Sequence, residues 1–424
     1  MERRRLLPWP AATPMGQNAA YLLATEGIAG LLGLAFWVIV ARSFRDADIG
    51  VGAALIASGT LLAVLSTAGF NISFVRFLPQ AGTNAPRIIN TGVTIGAGLA
   101  IALGLTFALG AGTWSPVLGF LGREPLLLLL FSLFVAVWTI YLLYDAAFIG
   151  LARAKYVALR AAVYNGLKVP LPLVFAASVA APFAMFLSWG SGLLVANGVA
   201  LAAFFFRAMP GYRPRLDIDR GVLGSMLRYS FANHATNVLS VLPGLVLPLL
   251  IAHVLAPETA AYFYVAWTLA HFLFIIPASI FASVFAEGSR RPPSLKEHGV
   301  RGLFLSFSLL VPAILVILLA GGAILSAFKP SFVVASSLLQ TLALGSPFLA
   351  VNLLYLTLLR IEKRMGPVIG ISAFTTIGAV GLGGLLMTAV GLLGVGLGFT
   401  ISQGVAAGYS VAALWKHPLL ARGA

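Results

Sequence analysis

Apolar runs of about twenty residues, separated by short clusters of charge, proline and glycine, follow one another along the whole chain. A helix rising about 1.5 Å per residue needs roughly that length to cross a bilayer's hydrocarbon core. Twelve such runs are legible, at 18–41, 49–75, 90–110, 125–149, 156–178, 182–206, 224–252, 260–286, 301–320, 333–359, 367–389 and 391–414. They are apolar on every face, whereas the strands of a membrane barrel alternate apolar and polar side chains over about 10 positions. The pattern therefore predicts an all-α integral membrane protein with about 12 transmembrane helices.

Composition agrees. Of 424 residues 60% are hydrophobic and 9% charged, against roughly a quarter charged in soluble domains. The net charge of +15 would suggest nucleic acid if it lay on one face of a soluble domain. It lies between the apolar runs instead, and no nucleic-acid partner is expected. With the N-terminus inside, 22 of the 27 Lys and Arg fall on the cytoplasmic side, among them Arg76, Arg153 and Arg160. Positive loops are retained there, so the sorting supports an even number of spans with both termini cytoplasmic. Cysteine is absent, which removes disulfides and thiolate chemistry.

Shifting the chain by 211 residues lays the segment from Ile39 over that from Leu250, pairing Ala41 with Ala252, Arg42 with His253 and Gly33 with Gly244. A weaker match sets the turn from Gly150 against that from Leu359. Six spans per half is an even number, so the halves share one orientation, with an axis along the membrane normal. The organisation expected is a basic N-terminus (1–17), a six-helix lobe (18–206), a linker (207–223), a second six-helix lobe (224–414) and a tail (415–424). Two parallel six-helix lobes facing a cleft describe a transporter scaffold.

Ionisable groups inside spans are costly and default to function. Lys168 lies about 12 residues, or ~18 Å, into the fifth run, near mid-membrane. Glu26 and Asp145 are candidates for its counter-ion or for binding a coupling ion, and a purely structural ion pair satisfies the same need for a partner. Arg76, closing the second run, reads either as an interfacial anchor or as a capture point for an incoming phosphate. His234, with Asn233 and Asn237 beside it, reads either as a buried hydrogen-bonded histidine or as part of a polar binding surface. Pro243, Gly244 and Pro248 interrupt one run, and mark either a hinge or a static kink.

The segment 18–79 resembles the opening of polysaccharide flippases, in the exporter superfamily that also holds multidrug extruders and lipid II flippases. Its marks are an Asn opening the first run (Asn18), Ala-Arg before an acidic turn (Ala41, Arg42), Asp-x-Gly opening the second (Asp48, Gly50), and Gly-Phe…Arg-Phe-Leu-Pro closing it (Gly69, Arg76). The resemblance implies a flippase- or extruder-like fold in the cytoplasmic membrane. It implies transport of a prenyl-diphosphate-linked oligosaccharide, a cell-envelope polysaccharide precursor, by alternating access. Its partners would be that lipid, the surrounding membrane lipid, and polysaccharide polymerases or glycosyltransferases, with no cofactor. A cationic centre suits a diphosphate, and hydroxyl or amide groups suit sugars. Against this stand a cation-coupled multidrug extruder and a membrane-embedded glycan transferase or polymerase. The chain has no phosphate-binding GKS or GKT motif, no HExxH and no GxSxG, which argues against an enzyme and an ATP-driven pump.

Overall fold

The computed structural model describes residues 14–290 and 295–415. Every regular element among them is helical. The first half holds α1 (Pro14–Ser43), α2 (Asp46–Ser66), α3 (Phe70–Phe77), α4 (Ala85–Trp114), α5 (Pro125–Gly150), α6 (Ala154–Lys168), α7 (Leu171–Phe175), α8 (Ala181–Val199) and α9 (Phe205–Ala208). The second holds α10 (Arg220–Val254), α11 (Pro257–Arg290), α12 (Leu295–Phe328), α13 (Ser336–Ile361), α14 (Met365–Val390) and α15 (Leu392–Trp415). Eleven helices among the described residues are long and apolar enough to cross a membrane. Large apolar side chains such as Leu319 and Leu385, 87% and 73% exposed, cover the surface; their solvent is lipid. The protein is a multi-pass membrane protein.

Two of the twelve expected runs are not single helices. The run 49–75 breaks between α2 and α3, where Gly69 takes φ 81°, a left-handed conformation that only glycine adopts freely. A Cβ there would stand 2.7 Å from Ser230 Cβ on α10. Ser73 on α3 then donates to the Met226 carbonyl at 3.1 Å, fixing the break against α10. The run 156–178 ends as a helix at Lys168 and resumes as the single turn α7. Pro170 and Pro172 carry no N–H, so the carbonyls of Gly166 and Lys168 lose their helical donors. This is the run missing from the eleven.

Elsewhere prolines are absorbed. α10 passes through Pro243 and Pro248 without interruption. The Leu239 carbonyl, which Pro243 cannot reach, accepts the Thr376 hydroxyl at 2.6 Å. In α13 the Ala343 carbonyl, stripped by Pro347, accepts Ser346 Oγ at 2.7 Å. Side-chain hydroxyls thus supply hydrogen bonds that lipid cannot. Gly244 sits under Trp267, where a Cβ would be 2.5 Å from the indole nitrogen.

The helix boundaries repeat with the 211-residue shift. α1 ends at Ser43 and α10 at Val254; α2 begins at Asp46 and α11 at Pro257; α5 spans Pro125–Gly150 and α13 Ser336–Ile361; α6 begins at Ala154 and α14 at Met365; α8 begins at Ala181 and α15 at Leu392. The turn after α5 is closed by Ala152 at φ 55° and that after α13 by Lys363 at φ 60°. The N–H of Arg153 bonds the Phe148 carbonyl, and that of Arg364 the Leu359 carbonyl, both at 2.8 Å, the two-bond helix stop built around a left-handed residue. This corrects the expected pairing of Gly150 with Leu359, because the structural equivalent of Gly150 is Ile361.

The chain groups into two compact units. One takes residues up to Phe44 and Ser58–His234, the other Arg45–Ala57 and the chain from Ala235 on. α2 therefore divides near its middle, and so does α10. In the first unit an aromatic-rich core gathers Phe74, Phe148, Tyr156 and Phe205. In the second, Phe281, Tyr355, Leu358 and Leu359 lie between α11, α13 and α14.

Candidate functional site

α6 carries two buried cations of opposite circumstance. Its first turn is tied to α1 through the side-chain oxygen of Asn18, which accepts the Ala154 N–H at 3.1 Å. Eight residues, or about 12 Å of helix, separate Arg160 from Lys168. Arg160 is 0% exposed and has a carboxylate partner. It pairs with Asp145, donates to Asn197 Oδ1 at 2.8 Å and to the Tyr141 carbonyl, and stacks over the Tyr141 ring at 4.2 Å. Asn197 in turn donates to the Val137 carbonyl, so the guanidinium joins α5, α6 and α8. The charge sorting placed Arg160 in the cytoplasmic set; the structure encloses it within the first unit.

Lys168, 4% exposed, has no such carboxylate among the described residues. Its ammonium donates to Asn165 Oδ1 at 2.8 Å and is otherwise surrounded by ring faces: Trp189 at 4.5 Å, Tyr164 at 4.8 Å and Phe36 at 5.6 Å. These rings belong to a larger aromatic group that includes Trp138 beside Trp189 and Tyr141 beside Tyr164. Three π faces, one amide oxygen and the carbonyl end of a broken helix stabilise a cation without neutralising it. The indole N–H of Trp189 is enclosed beside it with no hydrogen-bond partner. The neighbourhood holds donors and positive charge, and calls for an acceptor-rich anion.

The other expected residues scatter. Asp145 belongs to Arg160, which corrects its reading as the Lys168 counter-ion. Glu26 is exposed on α1, with no ion-pair partner among the described residues. Arg76 is exposed at the end of α3. His234 hydrogen-bonds the Leu65 backbone, and its Nδ1 is enclosed without a partner. Asn233 is half-buried beside it, and Asn237 lies in the other unit. None of these lies among the groups around Lys168. Sequence reasoning missed Phe36, Tyr164, Asn165 and Trp189, because aromatics in a membrane span look like ordinary apolar filling.

The repeat exposes how unusual this site is. The equivalents of Arg160 and Lys168 in the second half are Ile371 and Ala379, and those of Pro170 and Pro172 are Gly381 and Gly383. There α14 runs unbroken. The helix break and both buried cations were built into one half only.

Comparison with known proteins places this architecture. No family model and no curated protein matches the sequence. Solved structures do. One described as the inward-facing conformation of a multidrug resistance MATE family transporter of the MOP superfamily aligns over 96% of this chain and 100% of its own, with TM-score 0.71 and 16% identity. The lipid II flippase MurJ in an inward closed conformation aligns over 95% and 88%, with TM-score 0.76 and 13% identity. A MOP superfamily transporter from Pyrococcus furiosus, described as having a binding pocket of reverse polarity, aligns over 95% and 96%, with TM-score 0.59 and 15% identity. The chain has the MATE and MurJ fold. At such identities the likeness is one of fold, and it extends over nearly the whole chain.

Proposed function

We propose that the protein is a carrier that moves a prenyl-diphosphate-linked oligosaccharide from the inner to the outer leaflet of a bacterial-type cytoplasmic membrane, by alternating access between its halves, and that it is a relative of the polysaccharide flippases. The observation that carries this reading is Lys168: a deeply buried ammonium with no carboxylate, held by ring faces and an amide. An anionic diphosphate completes such a site, and an organic cation is repelled by it. The multidrug-extruder reading needs a membrane-embedded carboxylate free to exchange cations. Asp145 is committed to Arg160, which leaves Glu26 as the candidate for ion coupling. The fold is shared with proteins described as transporters and flippases, which favours carriage over glycan transfer. Arg76, His234, Asn233 and Asn237 are assigned to the cargo's path, and Pro243, Gly244 and Pro248 to flexing of α10.

The test is reconstitution in liposomes with a fluorescent prenyl-diphosphate oligosaccharide. The cargo should cross between leaflets with its mass unchanged, and Lys168→Ala should stop it. Ethidium extrusion that Glu26→Gln abolishes would establish the extruder instead, and conversion of the glycan without translocation would establish the transferase.

A further inference from the structure

Where α3 ends and α4 and α10 begin, the first unit holds a cavity of 380 Å³, within the range of about 300–1,000 Å³ usual for small-molecule sites. Phe77 and Met226 belong to its apolar wall, and its polar groups are the side chains of Gln80, Asn84, Arg87 and Asp219. It shares no residue with the groups around Lys168. The surrounding backbone holds it in shape. Asp219 accepts the Val222 N–H on its Oδ1 at 2.9 Å, capping α10, and its own N–H donates to Thr91 on α4 at 3.1 Å. The linker before it is tied to the same helix, since the Tyr212 hydroxyl donates to Asn90 at 2.9 Å and the Asn90 amide to the Arg213 carbonyl at 3.1 Å. On the opposite wall the bond from Ser73 to the Met226 carbonyl joins α3 to α10.

We infer that this cavity binds a neutral saccharide, the sugar portion of the cargo before it crosses. Arg87 faces Asp219 Oδ2 across 3.4 Å, longer than the about 2.7–2.9 Å of a charge-assisted hydrogen bond. The two charges offset each other, while the guanidinium N–H groups and Oδ2 keep hydrogen-bonding capacity for a ligand. An anion would meet Asp219 and a cation would meet Arg87, so neither gains from the pair as a whole. The exposed carboxamides of Gln80 and Asn84 have no side-chain hydrogen bond among the described residues, and each offers an acceptor and two donors. Hydroxyls also donate and accept, and a sugar ring carries several of them around C–H faces that suit the apolar wall. The repeat does not require these groups: Gln80, Asn84 and Arg87 correspond to Arg291, Leu295 and His298, and Asp219 comes from a linker that occurs once. In the orientation with a cytoplasmic N-terminus, α3 ends and α4 begins at the cytoplasmic face, where such a lipid carries its sugars before transport.

The inference rests on the carrier reading for the origin of the sugar, but not for its binding. Saturation-transfer NMR on the protein in phosphatidylcholine nanodiscs, with a panel of neutral disaccharides and N-acetylhexosamines, tests it. At least one member should receive saturation, and Asn84→Leu and Arg87→Met should each reduce that signal several-fold at unchanged melting temperature. Asn84 makes no side-chain capping bond, so its replacement leaves α4 intact. Sodium pyrophosphate should not displace the sugar. No saturation of any member, a signal indifferent to both substitutions, or displacement by pyrophosphate overturns the site. So does a phospholipid that native mass spectrometry finds retained and that Arg87→Met releases, with no saccharide bound, which would mark a lipid headgroup site. Saccharide binding that both substitutions weaken, in a protein that moves no prenyl-diphosphate oligosaccharide, upholds the cavity and refutes the cargo. Transport of that lipid that neither substitution alters leaves the cargo standing and overturns the cavity's part in it.

Discussion

Arg160 and Lys168 show how two buried cations on one helix come to different uses. Arg160 has its carboxylate, its amide and one carbonyl, and removing it strands Asp145 in the first unit. Breaking a buried pair from one side costs about 3–5 kcal/mol, whereas replacing both partners by apolar groups of similar volume is often neutral. Arg160→Ala is therefore expected to lower thermal stability and folded yield sharply. Arg160→Met combined with Asp145→Leu should recover most of both in a detergent melting assay. Lys168 strands no charge when it is removed, because its partners among the described residues are rings and one amide oxygen. Lys168→Ala should keep its folded yield and lose transport, and Lys168→Arg should keep part of it, since the larger guanidinium still presents charge to an anion but must displace the rings. Equal stability losses at the two positions would show that Lys168 is structural as well.

Prolines lie inside several helices of this protein, and at two of them a hydroxyl replaces the lost hydrogen bond. Pro243 in α10 costs a hydrogen bond that Thr376 restores, and Pro347 in α13 costs one that Ser346 restores; both helices continue. After Lys168 two prolines fall close together and the helix stops. Thr376→Val should accordingly destabilise the second unit by about 1–3 kcal/mol, the penalty for an unpaired buried carbonyl, and loosen α10 near Leu239, which hydrogen exchange at the neighbouring amides would register. An unchanged exchange rate would mean that another group takes over the carbonyl. The run lengths made eleven of the twelve expected spans legible in the sequence. The breaks inside two of the runs were not, because a hydropathy window sees Gly69 or Pro170 as one residue in twenty while the backbone responds to φ and to a missing N–H. The cage around Lys168 was hidden for a related reason: the Lys was conspicuous by its charge, but Phe36, Tyr164 and Trp189 come from three helices whose proximity no local pattern encodes.

Across the whole molecule the repeat and the charge sorting make one claim between them, and the α6–α7 segment is where it can fail. Eleven helices satisfy the spanning criterion, an odd number that would put the two termini on opposite faces. An even count requires the broken segment from Ala154 to Phe175 to cross as well. The repeat argues that it does: its start aligns with the start of α14, and α8 after it aligns with α15, so the second half supplies an unbroken helix for the same path. A broken crossing is tolerable in lipid where protein shields the freed carbonyls. Single cysteines in the cysteine-free chain decide the matter. Lys155→Cys should react with an impermeant maleimide only from the cytoplasmic face, and Ser178→Cys only from the opposite face. Labelling of both from one side would mean that the segment re-enters without crossing, that the chain has eleven spans, and that the assignment of both termini to the cytoplasm is wrong.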